Sequence, residues 1–182
     1  MTTYLINCSK CKTIPYEDRW SSPQAISFHK ELGQYRAQLL ELNPQITLDW
    51  EKTLPAWELY RGSRSRFYSR VTIENWTKPC TSVWILSALF GWVKHTDLLP
   101  NYDLRMTDKI VDNDLRVYKF WRQADCLSQL ITSDHMDLLS KDYRRALSAK
   151  DLNLFIPDRN FTDRGVQKGD WLQQQLKNIN CS

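Results

Sequence analysis

No run of this 182-residue chain approaches the roughly 20 consecutive apolar residues that span a bilayer, so no membrane partner is expected. The opening "MTTYLINCSK" lacks a basic n-region and a long apolar stretch. It does not read as a secretory signal, and a cytoplasmic location is expected. There is no internal repeat and no low-complexity linker. Cysteines 8, 11, 80, 126 and 181 are odd in number and do not space out as a disulfide framework, so reduced thiols are expected. Cys8-x-x-Cys11 lacks a second ligand pair for zinc. Cys80, Cys126, His29, His95 and His135 stand isolated, so neither a metal nor another cofactor is expected. A redox pair would want its first cysteine at a helix start, and Pro15 with a helix opening only at Pro23 argues against that.

Aromatic residues are plentiful. Eight Trp, eight Tyr and six Phe, with 42% hydrophobic and 25% charged residues, require a packed globular core. The length suits one compact domain.

Residues 3–8, "TYLINC", read as a strand followed by a loop over 8–21. Ser22-Pro23 is a helix-start pair, and Phe28, Leu32, Tyr35, Leu39 and Leu42 share one helical face up to Asn43-Pro44. Residues 46–50 are a candidate short strand, 53–62 a connector, and 63–76 a helix stopped by Pro79. "SVWILSA" (82–88) is continuous and apolar, as a central strand covered on both faces should be. A long loop follows it.

A helix capped by Asp112 or Asn113 runs to about 131, burying Val117, Trp121 and Ala124. Another begins at Ser133-Asp134 and turns Met136, Leu139, Tyr143 and Leu147 inward. Residues 152–157 read as a strand, 158–169 as a loop and 170–179 as a helix. Strands alternating with helices predict an α/β fold, a small, mostly parallel sheet flanked by helices.

In such sheets ligands bind beyond the carboxyl ends of the strands. Two strands lead into chemically loaded loops, Cys8–Thr13 and the stretch after Ser87. Parallel strands would bring both to one edge. There Ser9, Ser87, Gly91, Trp92 and Tyr102 would line a pocket, and Cys8, Lys12, Asp97 and Asp103 are the catalytic candidates. In that reading Cys8 or Lys12 is the nucleophile, Asp97 or Asp103 orients the substrate, and Tyr102 or Trp92 stacks on a base. His95 with Asp97 is a candidate acid–base pair. Asp103 and Arg105 would point to one side of an extended stretch, as an ion pair or as a substrate clamp.

Charge is localised. Arg61, Arg64, Arg66, Arg70 and Lys78, against Glu74 alone, account for the whole net charge of +4. With Lys10 and Lys12 these arginines suit phosphates of DNA or RNA, or of a nucleotide. A solvated helix face is the plain alternative.

The stretch "ILSALFGWVKHTDLLPNYDLRM" resembles the signature of the YaaA-type peroxide-stress protein family. In that family a strand leads into Ser-Gly-Leu-Tyr-Gly, a proline/aspartate turn, and Pro-Tyr-Arg-Leu-Glu-Met. Leu86, Ser87, Leu89, Phe90, Gly91, Asp97, Pro100, Tyr102, Leu104 and Met106 fit. Lys12-Thr13 match the end of the family's Ser-Pro-Ala-Lys-Thr loop, and Val117–Trp121 its Leu-Tyr-x-Phe-Trp. "LITSDHMDLLSK" matches a further segment more loosely. The chain is shorter than a typical member, and Asp103 and Arg105 reverse the charges of the family's Arg and Glu. The resemblance implies a YaaA-like domain over 1–182, DNA binding through a basic surface, and a role in limiting oxidative damage. "CSKCKTIPY" is also similar, with a residue's slack, to the Cys-Ser-x-x-Lys-x-Pro-Tyr loop of archaeosine-synthase-type tRNA modification domains. The alternative function is an enzyme acting on a nucleotide or nucleic-acid base, by base-modification or glycosidic chemistry, with the Cys/Lys/Asp site at the strand ends.

Overall fold

Tyr4, Leu5 and Ile6 are consecutive and all buried, because their strand is paired on both sides and covered on both faces. In the computed structural model, which describes residues 2–110, 114–132, 134–148, 161 and 165–179, the chain is an α/β protein. Its elements are β1 (Thr3–Asn7), α1 (His29–Glu41), β2 (Thr53–Pro55), α2 (Ala56–Leu59), α3 (Ile73–Thr77), β3 (Val83–Ser87), β4 (Gly91–Lys94), β5 (Leu98–Pro100), α4 (Val117–Ala124), β6 (His135–Asp137), α5 (Lys141–Arg144) and α6 (Val166–Lys177). The main sheet has the order β4-β3-β1-β6. β1 is parallel to β3, with Ile6 opposite Ile85, and parallel to β6, with Tyr4 opposite Met136. Ser9, just past β1, and Ser87, the last residue of the adjacent parallel β3, therefore stand at one edge. Among the described residues no helix is long and apolar enough to cross a membrane.

The stretch after Ser87 is not a long loop. It is a hairpin into β4, antiparallel to β3, followed by β5, which pairs with β2 in a second, two-stranded sheet. The turn is three residues, Ala88–Phe90. The Ser87 hydroxyl accepts from the Phe90 N–H at 3.0 Å, and Gly91 takes φ +63°, the left-handed position such a turn needs. A Cβ on Gly91 would also press on Leu127 and Trp121 at 3.0 and 3.1 Å.

Several expected elements are different. The helix expected over 63–76 breaks up: the Ser65 hydroxyl accepts from the Tyr68 N–H, a single 3₁₀ turn covers Tyr68–Arg70, and Val71 is extended. A true helix starts only after Thr72, whose side chain accepts from the Asn75 N–H. Over 134–148, His135–Asp137 pairs with β1 instead of coiling, because the open edge of β1 supplies backbone partners. The 22–43 helix begins at His29, after one 3₁₀ turn at Pro23–Ala25 whose Ser22 makes no side-chain cap. The helix capped at 112–113 is α4, which starts at Val117. The candidate caps Asp112, Asn113 and Ser133, and the strand 152–157, lie outside the described residues. Residues 46–50 form no strand, and Lys168 and its neighbours, read as loop, open α6. Cys8, Cys11 and Cys126 are free, whereas Cys80 is disulfide-bonded, which corrects the expectation of reduced thiols throughout. Spacing carried no signal for that bond.

Candidate ligand site at the carboxyl edge of the sheet

β1 ends at Asn7, and its last residue organises the edge. Its carbonyl accepts from the Tyr68 hydroxyl at 2.6 Å, and its side-chain oxygen accepts from the Ser140 N–H at 3.0 Å. This joins the end of β1 to the 3₁₀ turn on one side and to the start of α5 on the other. The loop that follows is held by its own polar groups. The Ser9 hydroxyl accepts from the Cys11 N–H at 3.1 Å. Thr13 donates from its N–H to the Leu59 carbonyl at 2.7 Å and from its hydroxyl to the Glu58 carbonyl at 2.9 Å. The loop lies flat on Gly62, where a Cβ would stand 2.7 Å from the Cys11 carbonyl. Only glycine permits that approach.

Beside the loop is a cleft of about 360 Å³, lined in part by Ser9, Lys10, Arg64, Arg66, Phe67 and Lys168. Lys10, Arg64 and Arg66 are exposed. Among the described residues no ion pair engages Lys10 or Arg64. Lys168 donates to the carbonyls of Leu138 and Leu139 at 2.7 and 3.0 Å, so it carries its charge to the cleft wall while fixing the end of β6. The Cys8 thiol meets the Tyr143 hydroxyl at 3.0 Å, and burial holds that phenol well above its ordinary pKa.

Behind the loop runs a buried chain of hydroxyls. Ser87 Oγ and the Tyr102 hydroxyl are 2.8 Å apart, and the Tyr102 and Tyr60 hydroxyls are also 2.8 Å apart. Burial raises both phenols far above the neutral range, so they stay protonated. The Lys12 ammonium sits 4.3 Å from the Tyr102 ring centroid, within cation–π range. Burial is the main cause that lowers the Lys12 pKa, with Cys8 and Asp103 pulling the other way.

The structure thus gathers Cys8, Ser9, Lys10, Arg64 and Arg66 at one cleft, with Lys12 and the exposed Asp103 close behind. Other candidates lie elsewhere. Ser87, Gly91, Trp92 and Tyr102 are buried beneath the edge and do not line the cleft. The Trp92 indole donates to the Leu127 carbonyl at 3.0 Å. Asp97 lies at the amino end of β3, where it accepts from the Ser27 hydroxyl and from the N–H groups of Ser27 and Lys94. His95 takes a separate partner, the Val83 carbonyl at 3.3 Å. Arg61 is half-buried and outside the cleft. Arg70 is paired with Asp170 at 2.6 Å. Among the described residues no three His, Cys, Asp or Glu side chains group to hold a metal ion.

Sequence reasoning missed Lys168, which the helical register of Leu172 and Leu176 extended backwards would have placed one turn before Leu172. It also missed Arg36. That buried guanidinium donates to the carbonyls of Ser27, Phe90 and Trp92 at 2.8 to 2.9 Å, and its pKa falls to about 10 by burial. No spacing rule marks an arginine as internal.

A mixed sheet with basic side chains at its carboxyl edge defines a small α/β protein with a cleft lined in part by cations. Residues 21–175 match the family model described as peroxide stress protein YaaA, and the chain belongs to that family. A UPF0246 protein of Acaryochloris marina (strain MBIC 11017) is 28% identical over 151 residues, which covers 68% of this chain and 59% of that protein. The chain therefore spans about three-fifths of that relative's length. Arg64, Arg66, Tyr102, Arg105 and Lys168 fall within the matched residues, and Cys8–Thr13 precede them.

Proposed function

We propose that this YaaA-family protein binds nucleic acid, with phosphates held in the cleft between the β1 loop and Arg64–Phe67. The observation that carries the reading is the meeting of Lys10, Arg64 and Arg66, from two distant parts of the chain, around one cleft of about 360 Å³. Guanidinium forks suit phosphate oxygens, and among the described residues Lys10 and Arg64 have no ion pair to break first. The role fits a cytoplasmic protein that associates with DNA or RNA during peroxide stress. Arg70, spent on Asp170, makes no contribution to phosphate binding in this reading.

The test is the salt dependence of binding to a random-sequence oligonucleotide. Each phosphate contact contributes a slope of about −0.7 on a single strand and about −0.9 on a duplex. A Lys10→Gln/Arg64→Gln variant is expected to flatten the slope by roughly 1.4 to 1.8, and Arg70→Gln to leave it unchanged. Equal slopes for wild type and the double variant, both folded, would overturn the reading.

A second reading, catalysis on a nucleotide or base, draws on Lys12. Its lowered pKa leaves more of the amine unprotonated near neutrality, as a nucleophile or base requires. Cys8 and Asp103 are its neighbours in that scheme. Reductive methylation of Lys12 as a function of pH tests it, and titration of Lys12 in the ordinary lysine range would remove its support.

A further inference from the structure

The β1 loop has a cleft on each side. Cys8, Ser9 and Lys10 line both. The larger opens toward Arg64 and Arg66. The smaller, about 160 Å³, lies between the loop and Leu104–Thr107, with Arg105 on its wall. Lys10 stands on the divide, so cations lie in the order Arg64 and Arg66, Lys10, Arg105. Among the described residues no ion pair engages Arg105. The carboxylate on the smaller cleft's wall, Asp142, is paired with Arg145 at 3.3 Å.

The geometry points to an unpaired polynucleotide strand crossing the β1 loop, with one nucleotide in the larger cleft and the next phosphate carried over Lys10 to Arg105. This deepens the nucleic-acid reading and rests on it. A cleft of about 360 Å³ is of small-ligand size and takes one nucleotide. The half-exposed Phe67 on its wall gives a base an aromatic face. The smaller cleft is too small for a second nucleotide and suits a phosphate with part of its sugar. A mononucleotide would fill the first cleft and leave Arg105 idle. A duplex keeps its bases stacked and paired, so none enters the cleft without being extruded. Only an unpaired strand offers a free base face and consecutive phosphates together.

The test uses three probes: thymidine 5′-monophosphate, a (dT)12 oligonucleotide, and a 12-base-pair duplex. The oligonucleotide is expected to bind at least tenfold tighter than the mononucleotide and about tenfold tighter than the duplex. Arg105→Gln, a surface change whose fold is checked by its melting curve, should weaken (dT)12 three- to tenfold and flatten its salt slope by about 0.7. It should leave the mononucleotide unchanged. If mononucleotide and oligonucleotide bind equally, if the duplex binds tighter, or if Arg105→Gln has no effect on (dT)12, the strand path is wrong and the nucleic-acid reading survives. If none of the three probes binds, both fail.

Discussion

The two ends of the main sheet carry similar residue types with opposite fates. At the amino end of β3, Asp97 accepts three hydrogen bonds and His95 is engaged with the Val83 carbonyl. Asp97 spends its polar capacity on joining the β4–β5 connection to Ser27 and His95 spends its own on β3, so both serve the fold. At the carboxyl end the internal bonds go to Asn7, Ser9, Ser87 and Tyr102, which shape the loop and its floor. Lys10, Arg64 and Arg105 stay outside that network and border open clefts. A charged group whose hydrogen bonds are all internal has little left for a ligand. That difference, and not residue type, separates the ends.

The largest effect is expected from breaking the amino end. Asp97→Ala leaves three donors without their acceptor, the two of Ser27 part-buried and that of Lys94 exposed, and a loss of about 3 kcal/mol follows, nearly all of it from Ser27. Asp97→Asn keeps one acceptor oxygen and should lose roughly 1 kcal/mol. Burial raises the Asp97 pKa despite those bonds, so removing its charge relieves part of the cost. Urea denaturation gives both values. Oligonucleotide affinity, measured well below the midpoint, should not change in either variant. An affinity loss as large as that of the Lys10→Gln/Arg64→Gln variant would erase the contrast between the ends.

Gly62→Ala sharpens the comparison from the other side. The new Cβ would stand 2.7 Å from backbone atoms of Cys11 and Lys12, which cannot yield as a flexible side chain would. The β1 loop must shift. A stability cost of about 2 kcal/mol is expected, together with weaker oligonucleotide binding, because Ser9 and Lys10 move with the loop. Unchanged affinity in a folded Gly62→Ala protein would mean that the loop's position does not matter to the ligand.

Much of the frame was legible in the sequence. The apolar runs 3–8 and 82–88 carry their burial in their composition, and Ser87, Gly91 and Tyr102 stood out in the motif, though as pocket lining and not as the hairpin and buried hydroxyl chain they form. Two kinds of feature were not. Short elements were misread: β4, β5 and β6 span only 3 to 4 residues each, too few for periodicity to register. Their existence depends on partners distant in sequence, as His135–Asp137 depends on the edge of β1. The second kind was the fate of charge. Arg64 and Arg70 look equivalent in "RGSRSRFYSR", and only Asp170, a hundred residues away, sets them apart. The cleft itself joins residues 8–10 with 64–67, which no local pattern could bring together.

The smallest effect concerns acid. Burial lowers the His95 pKa below its usual 6.5, so the native state holds this ring neutral. The sign follows from linkage. Between the lowered folded value and 6.5 the unfolded chain binds more protons than the native one. The stability that His95 contributes is therefore fully present above 6.5 and is lost as pH falls toward the folded value. The slope from this one group can reach about 1.4 kcal/mol per pH unit. His95→Phe keeps a ring beside Trp76, whose centroid lies 6.1 Å away, but gives up the bond to the Val83 carbonyl. It should lose about 1 kcal/mol at pH 7.5. Its stability should then fall less steeply than that of the wild type between pH 6.5 and 5, so the two converge in acid. Denaturation midpoints across that range measure the convergence. Parallel curves would mean that His95 takes up a proton as readily in the folded protein as in the unfolded chain, and the amino end would then accept in acid a charge that the contrast with the carboxyl end denies it.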